Sequence, residues 1–477
     1  MSSVAHVLTE YAGSLRPSLP APESRRFLAN VPRRATSRIL AAQMAHMTEI
    51  TEVVPAGPSD ELAGFALDTP QPGSARDSYA FDLRGWAVGA RSPAAAVLLL
   101  RGGDLIRRLP VELDRPDVAA AHPQLPGAQR SGFFGTFSAL ALEPRFELQV
   151  DLLLEDGTRL PLAVVRGNRP RIQSPFTPRL QPLVLTTLGR TGSTAVVRML
   201  AAHPGIVAYR PFEHEPRVAT YWMEVFGALT DPAGYRRQLS PTGTIDGTWW
   251  LGDRTPLPRP IHDPVLDPFL ETTAIGELAA FAQERIDRLY REVAAAQGRP
   301  DASHFVEKYR ADIVPELVLE LYPGAREVML VRDFRDMVAS MFAYNDKRGR
   351  QGFGRDRVAS DRDYVLENVS PSVAAIAEAW ERRSGSAFLL RYEDLVRSPA
   401  ETVPALLGHL GLAAGPDAVE SLVGALGARD PGSEGHRTVS DPRASIGRWR
   451  HDLPDEVAAA CDGAFGSALE TFGYEPA

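Results

Sequence analysis

The chain has 477 residues, of which 44% are hydrophobic and 23% charged, and its formal net charge is -8. This length is enough for two or three domains, and the composition is that of a globular protein rather than a fibrous or disordered one. The negative charge gives no general attraction to nucleic acid or anionic membranes, so any anion site has to be local. The single cysteine, Cys461, excludes an intramolecular disulfide and a multi-cysteine metal site, which favours a reducing compartment.

The N-terminal segment, residues 1–54, is predicted to be a leader with one short helix near residues 37–47. Its first 19 residues lack the basic-then-apolar layout of a secretory signal. No later apolar run reaches the roughly 20 residues that span a bilayer, so we expect a cytoplasmic protein without a transmembrane segment. Residues 55–77 are rich in Pro, Gly, Ser and Asp and are predicted to be a linker.

A β-rich segment is predicted next, over residues 78–171. Apolar residues recur at every second position from Phe146 to Leu154 and again from Leu160 to Val164, a pattern typical of a hairpin with one buried face. Further short strands are expected near Trp86, which we interpret as a core residue rather than a sugar-stacking one. These elements predict an antiparallel β-sandwich, which could shape access to a neighbouring site, mediate assembly or simply pack.

From residue 180 to residue 477, apolar runs of strand length alternate with helical stretches. This alternation predicts a three-layer α/β/α domain with a central parallel sheet. Its first strand, residues 183–187, leads into a glycine-containing turn that opens a helix. The turn and the helix start have the sequence Gly189, Arg190, Thr191, Gly192, Ser193, Thr194.

This turn has the chemistry of an anion site. A helix N-terminus offers unpaired N–H groups and the positive end of a dipole, glycines allow close backbone approach, and Arg190 adds a bidentate fork. A nucleotide triphosphatase loop would require a lysine before Ser193 or Thr194, and the sequence has none there. We therefore expect an anion bound without a metal ion, although a purely structural turn remains the alternative.

A second candidate anion site follows the strand predicted at residues 328–331. Arg332 stands where that strand ends, and Ser340 lies about two turns down the next helix. In open α/β sheets, ligands bind at this edge. The alternative is that Arg332 pairs with Asp333 or Asp336 as a helix cap.

Together, these segments resemble the PAPS-dependent sulfotransferases, which use 3′-phosphoadenosine 5′-phosphosulfate as donor. The resemblance implies that residues 189–194 bind the 5′-phosphosulfate and that Arg332 and Ser340 bind the 3′-phosphate. Tyr392 stands in a Tyr-Glu-Asp-Leu segment like the one whose tyrosine lies near the nucleotide in the family, or else it has a packing role. Residues 436–449 resemble the family's late loop that closes over PAPS, and Arg448 then stands at its basic position. The alternative is that these residues form a solvated loop. The similarity covers roughly residues 182–474 in the family's order.

The resemblance also implies a general base. In-line sulfuryl transfer requires a group that accepts the proton of the acceptor hydroxyl. In many family members, a glutamate follows a His-Pro pair at nearly the distance that separates His203 from Glu213. Glu213 is the predicted base, and the neighbouring Glu215 and His214 remain open.

Two cations are implied for the charge that builds up during transfer. Lys308 lies in a segment that resembles the family's lysine-containing segment before the 3′-phosphate motif, which implies contact with the leaving oxygen. Arg190 is the second cation, because the family's equivalent commonly touches the transferred group. For Lys308, a surface salt bridge with Glu307 is the alternative.

The sequence thus predicts transfer of a sulfuryl group from PAPS to a hydroxyl of a carbohydrate, a glycolipid or a secondary metabolite, without a metal or a nucleic-acid partner. A nucleotide-dependent kinase on a similar sheet and a non-catalytic nucleotide- or glycan-binding protein are the alternatives. The missing loop lysine argues against the kinase, and the candidate base and cations argue against the binding protein. The sequence leaves oligomeric state and acceptor identity open.

Overall fold

The computed structural model describes residues 48–76, 79–209, 216–230, 273–349, 351–427 and 437–475. The helix predicted near residues 37–47 and the candidate bases Glu213, His214 and Glu215 lie outside the described residues. None of the helices in the described ranges combines the length and the apolar character that crossing a bilayer requires.

Two antiparallel sheets form the predicted β-sandwich. Its strands are β1 (Thr48–Pro55), β2 (Leu62–Thr69), β3 (Ala75–Arg76), β4 (Ala80–Gly89), β5 (Ala94–Arg101), β6 (Asp104–Pro110), β7 (Gly132–Ser138), β8 (Arg145–Leu154) and β9 (Arg159–Asn168). One sheet has the order β3-β1-β9-β8-β5-β6 and the other β2-β4-β7. A short helix, α1 (Pro116–Ala121), lies between β6 and β7. The predicted hairpin is β8–β9, where Leu152 pairs with Leu160.

The prediction of a linker over residues 55–77 is wrong where β2 and β3 form, and β1 begins within the predicted leader. Val53 of β1 pairs with Val165 of β9, and Phe65 of β2 pairs with Ala87 of β4. The Pro, Gly and Asp residues mark the turns between these strands rather than a flexible connection. Trp86 packs against a small buried cluster, as a structural tryptophan would.

A five-stranded parallel sheet forms the centre of the second part, in the order β11-β12-β10-β13-β14. Its strands are β10 (Gln181–Thr187), β11 (Ile206–Val207), β12 (His304–Tyr309), β13 (Arg326–Val331) and β14 (Phe388–Arg391). The helices are α2 (Ser193–Leu200), α3 (Val218–Thr230), α4 (Ala274–Ala296), α5 (Ile313–Leu321), α6 (Phe334–Arg348), α7 (Ser370–Arg383), α8 (Tyr392–Arg397), α9 (Pro399–His409), α10 (Pro416–Gly427), α11 (Trp449–Asp452) and α12 (Asp455–Thr471). A short turn at Asp361–Asp363 and a π-helical turn at Tyr364–Val369 precede α7.

Both faces of this sheet are covered by helices. On one face, Val184 and Phe305 pack against α3, α4 and α5, and Met329 packs against α6, α7 and α12. On the other face, Leu185 and Leu330 pack against α2, α9 and α10. This confirms the predicted three-layer α/β/α class and its preceding β-sandwich.

Candidate active site

The site lies where three neighbouring parallel strands end. The turn after β10 leads to α2, Lys308 is near the end of β12, and Arg332 follows β13 directly. Because β12, β10 and β13 are adjacent in the sheet, their carboxyl ends meet at one edge. This is the edge at which open α/β sheets bind ligands.

The turn after β10 has an unusual backbone. Arg190 has φ 66° and Gly192 has φ 89°, both in the left-handed region. A Cβ atom on Gly192 would lie 2.6 Å from ring atoms of Tyr392, so this position requires glycine for two reasons. The Thr191 hydroxyl donates to the Leu188 carbonyl at 2.9 Å, which stabilises the turn itself.

Two arginines and a serine from different elements meet beside this turn. Nε of Arg190 donates to Oγ of Ser340 at 3.2 Å. A terminal nitrogen of Arg332 donates to the carbonyl of Arg190 at 3.3 Å, and its guanidinium lies 4.9 Å from the centre of the Tyr392 ring. The structure therefore brings together four residues that the sequence predicted separately.

The electrostatics of this cluster favour an anion. The pKa of Arg190 is lowered to about 10, mainly by burial and also by the positive charges of Arg332 and Arg448, against the opposing effect of Tyr344. Arg332 is only 4% exposed, and its Nε has no hydrogen-bond partner in the described part of the chain. Buried cations with an unused donor are costly unless an anion compensates them.

The alternative in which Arg332 caps the following helix is wrong. The carboxylate of Asp333 pairs with Arg335 at 2.8 Å instead. Asp336 accepts hydrogen bonds at 2.7 and 2.9 Å from two backbone amides of the late loop, those of Gly447 and Trp449. Asp336 therefore fixes the late loop, and within the described residues neither carboxylate forms an ion pair with Arg332.

Tyr392 and Arg448 are placed differently from each other. The Tyr392 hydroxyl lies 3.2 Å from Oγ of Ser445, at the border of a cavity. Arg448 donates to Oγ1 of Thr438 at 2.9 Å and to Oδ2 of Asp452 at 2.6 Å. It borders neither of the two cavities at the site. The positive charge of Arg448 is one of the causes that lower the pKa of Arg190.

Lys308 points into the site from the neighbouring strand. Its Nζ donates to Oγ1 of Thr194 at 3.0 Å, and burial lowers its pKa to about 7. Glu307 lies on the opposite face of β12, where its carboxylate accepts from the Val218 amide at 2.9 Å and from the Tyr290 hydroxyl. The alternative of a surface salt bridge between Glu307 and Lys308 is therefore wrong.

One signal in the sequence points to Lys308 independently of any motif. Of the 52 basic residues, two are lysines, Lys308 and Lys347. A buried lysine can lose its proton, whereas an arginine keeps its charge. In a chain that uses arginine almost everywhere, a buried lysine at a strand end is a candidate for chemistry.

Two cavities meet at Arg190 and Ser193. The smaller has a volume of about 380 Å³ and is bordered by these predicted residues: Arg190, Gly192, Ser193, Thr194, Arg332, Ser340 and Tyr392. Val396, Val423 and Leu426 give it an apolar wall. The larger cavity, of about 790 Å³, is bordered by Gly189 and Lys308 among the predicted residues. No group of three or more His, Cys, Asp or Glu side chains within the described ranges is placed to hold a metal ion.

The parallel sheet, the glycine turn opening a helix and the arginine at the next strand end define a P-loop-like α/β protein with a candidate anion site. Residues 182–416 match the model of a family described as the sulfotransferase family. This part of the chain therefore matches the family, and a β-rich N-terminal part precedes it.

The chain is similar to several known sulfotransferases. Carbohydrate sulfotransferase 3 of Homo sapiens is 27% identical over 162 residues, which are 31% of this chain and 33% of that protein. The match thus spans about a third of the relative's length. Among solved structures, the sulfotransferase domain of the Synechococcus PCC 7002 olefin synthase is 19% identical, with 64% of this chain and 99% of that domain covered and a TM-score of 0.34. A mouse sulfotransferase complexed with PAP is 11% identical, with coverage of 62% and 86% and the same TM-score of 0.34.

Proposed function

We propose that this protein transfers a sulfuryl group from PAPS to a hydroxyl of a carbohydrate, a glycolipid or a secondary metabolite. The observation that carries the proposal is the meeting of Arg190, Arg332, Ser340 and Lys308 at one sheet edge, between two cavities. PAPS is the expected co-substrate, and no metal ion is expected.

The smaller cavity suits the nucleotide part of the donor. Arg332, whose Nε has no hydrogen-bond partner among the described residues, and the hydroxyl of Ser340 would bind the 3′-phosphate. The backbone amides at the start of α2 would bind the 5′-phosphosulfate. The apolar wall formed by Val396 and Leu426 offers a surface for the base.

The larger cavity suits the acceptor, because it reaches Lys308 and Arg190 from the other side. In the reaction, the acceptor oxygen forms a bond to sulfur while the bond from sulfur to the bridging oxygen of the donor breaks. The acceptor proton passes to Glu213, with Glu215 and His214 as the other candidates. Lys308 and Arg190 would stabilise the negative charge on the leaving and sulfuryl oxygens.

Binding of PAP, the product that remains after transfer, tests the donor site. We expect micromolar affinity by calorimetry, and a loss of about tenfold or more, roughly 1.4 kcal/mol, for Arg190→Ala and for Arg332→Ala. Arg288→Ala is the matched control, because Arg288 lies on α4 with 63% of its side chain exposed. This control should bind PAP like the wild type.

ATP with Mg²⁺ is the competing ligand in the same experiment. A preference for ATP with Mg²⁺ over PAP would contradict the proposal and favour a kinase. Tight PAP binding without transfer to any hydroxyl would favour a non-catalytic binding protein.

A further inference from the structure

The accessory sandwich contributes one residue, Asp104, to a wall of the larger cavity. Asp104, the first residue of β6, borders this cavity together with Arg310 and Asp312, which follow β12. Lys308 borders the same cavity at the end where sulfuryl transfer is proposed to occur, which we call the reaction end. The family model begins at residue 182, so Asp104 lies outside the segment that it matches, whereas Arg310 and Asp312 lie within it.

The wall is fixed to the catalytic part by the tip of the β5–β6 hairpin. Arg101 is 5% exposed and pairs with Glu143 at 2.8 Å, and Glu143 in turn lies 3.4 Å from Nε of Arg382 on α7. A Cβ atom on Gly102 would lie 2.3 Å from a carboxylate oxygen of Glu378, also on α7. The hairpin tip is therefore a built part of the cavity rather than a loose neighbour.

The chemistry of this wall fits a polyhydroxylated ligand. The Asp104 side chain is 53% exposed, and its ion-pair partner Arg101 is 4.0 Å away, so it has capacity to accept further hydrogen bonds. A carboxylate accepts but does not donate, which matches hydroxyl groups. Asn368 and Ser372 add further polar groups to the cavity border.

Aromatic rings border the same cavity. Tyr344 and Tyr364 line it, and Phe353 does so with 42% of its surface exposed and with φ 61°, a strained value for a residue other than glycine. Strained backbone that persists in a folded protein is concentrated at functional sites. Aromatic faces beside hydrogen-bond acceptors suit the apolar faces and hydroxyls of sugar rings.

The volume of the cavity bears on the size of the ligand. The volume of about 790 Å³ lies in the upper part of the range of small-molecule pockets. The cavity therefore has room for more than one sugar ring between Lys308 at the reaction end and Asp104 of the sandwich.

We propose that the acceptor is a saccharide of two or more rings, whose reacting hydroxyl lies near Lys308 and whose far ring is bound by Asp104 of the accessory sandwich. This proposal rests on the sulfuryl transfer proposed above. It makes the sandwich a determinant of acceptor specificity.

Transfer from PAPS to p-nitrophenyl glycosides of one and two rings tests the proposal. The probes are the glucoside with the cellobioside and lactoside, and the N-acetylglucosaminide with the chitobioside. Wild type should favour a two-ring glycoside over its one-ring counterpart by about tenfold or more in kcat/KM. Asp104→Asn should raise KM for the two-ring glycoside about tenfold and remove this preference. The control is Asp60→Asn, because Asp60 is an exposed aspartate of the sandwich that borders neither cavity. This control should leave kcat/KM for both glycosides unchanged.

A second variant blocks the wall physically. The chain's one cysteine, Cys461, is fully buried and burial raises its pKa to about 12, so Asp104→Cys introduces a selectively reactive thiol. A bulky maleimide on this thiol should abolish transfer to the two-ring glycoside while PAP still binds. The same reagent on Asp60→Cys is the control.

Equal use of one- and two-ring glycosides by the wild type would overturn the proposal, and so would unchanged transfer by Asp104→Asn and by the labelled Asp104→Cys protein. PAP binding without use of any saccharide would also overturn it and leave the donor site standing. Failure of the wild type to bind PAP would instead refute the proposed function itself.

Discussion

The charge state of Lys308 near neutral pH differs from that of an exposed lysine. Burial lowers its pKa from 10.5 to about 7, so near neutrality part of the population carries a neutral amine. An anion beside Nζ would favour the charged form and raise the pKa again. We therefore expect donor binding to take up a proton at Lys308.

Chemical labelling can measure this pKa directly. The rate at which an amine-reactive acylating agent modifies Lys308 should rise with pH around a midpoint near 7, because the neutral amine is the reactive form. PAP should protect Lys308, and the exposed Lys347 serves as the internal reference in the same mass spectrum. A midpoint near 10 for Lys308, or no protection by PAP, would contradict the prediction.

The same shift fixes the sign of a pH effect on stability and on affinity. Between about pH 7 and pH 10.5 the unfolded chain binds the Lys308 proton and the folded chain does not, so the contribution of Lys308 to stability improves as pH rises through this window. PAP affinity should change in the opposite direction and weaken above pH 7, because the amine must be protonated to pair with an anion. Lys308→Met should remove both dependences.

Residue by residue, the sequence predicted most of the cluster because strand ends are geometrically simple. Arg190, Ser340 and Arg332 converge because neighbouring parallel strands end together. Arg448 follows a different rule, since its position in the late loop depends on Thr438 and Asp452 rather than on a strand. The bases predicted at Glu213, Glu215 and His214 stay predictions.

At the scale of elements, the junction of β10 and α2 depends on the fit between a turn and an adjacent helix. Gly192 has both a left-handed φ of 89° and the Tyr392 ring where its Cβ would be. Gly157, in the β8–β9 turn, has nearly the same φ, 91°, but a Cβ atom placed there would meet nothing within 4 Å in the described part of the chain. A side chain at either position would strain the backbone, but only at position 192 would it also clash with a neighbouring residue.

Alanine at each position should show this separation. Gly157→Ala should lower the free energy of unfolding by about 1–2 kcal/mol, the cost of a left-handed residue with a side chain, and leave PAP affinity unchanged. Gly192→Ala should be more destabilising and should also weaken PAP binding about tenfold or more, because α2 or Tyr392 has to move. Urea titrations and calorimetry make the comparison, and equal effects of both variants would contradict it.

Elements with a clear period were predictable, and those defined by their partners were not. The β8–β9 hairpin could be predicted because its apolar residues alternate over many positions. Strand β2 could not, since Leu62, Phe65 and Leu67 are only half-buried and the surrounding Pro and Gly residues resemble a linker. Its pairing with β4 decides its conformation, and such pairing is not visible locally.

At the scale of the whole molecule, the sandwich and the catalytic part share buried surface. Tyr79 and Leu140 of the sandwich belong to the same buried cluster as Met223 and Phe226 of α3. The described residues all belong to one compact unit, which begins at residue 46. The sequence predicted the two architectures but not their common core, because such contacts join residues far apart in the chain.

A buried ion pair at this junction gives the sharpest test of the coupling. Both terminal nitrogens of Arg169, after β9, donate to Glu320 of α5 at 2.8 Å, and the two side chains are 1% and 4% exposed. Arg169 also donates to the carbonyls of Ala139 and Leu142 in the sandwich. Removal of the carboxylate would leave a guanidinium buried without a counter-ion.

Glu320→Ala should therefore lower the free energy of unfolding by about 3–5 kcal/mol, the usual effect of breaking a buried pair from one side. Glu147→Ala is the matched control, because Glu147 pairs with Arg166 at 2.8 Å with side chains 58% and 44% exposed, and an exposed pair contributes less than about 1 kcal/mol. In urea titrations the wild type should unfold in one transition, and Glu320→Ala should shift its midpoint or divide it into two. If Glu320→Ala were no more destabilising than Glu147→Ala, the sandwich would contribute little to the stability of the catalytic part. The position of Asp104 at the larger cavity would then depend on the contacts of Glu143 with Arg101 and Arg382 instead.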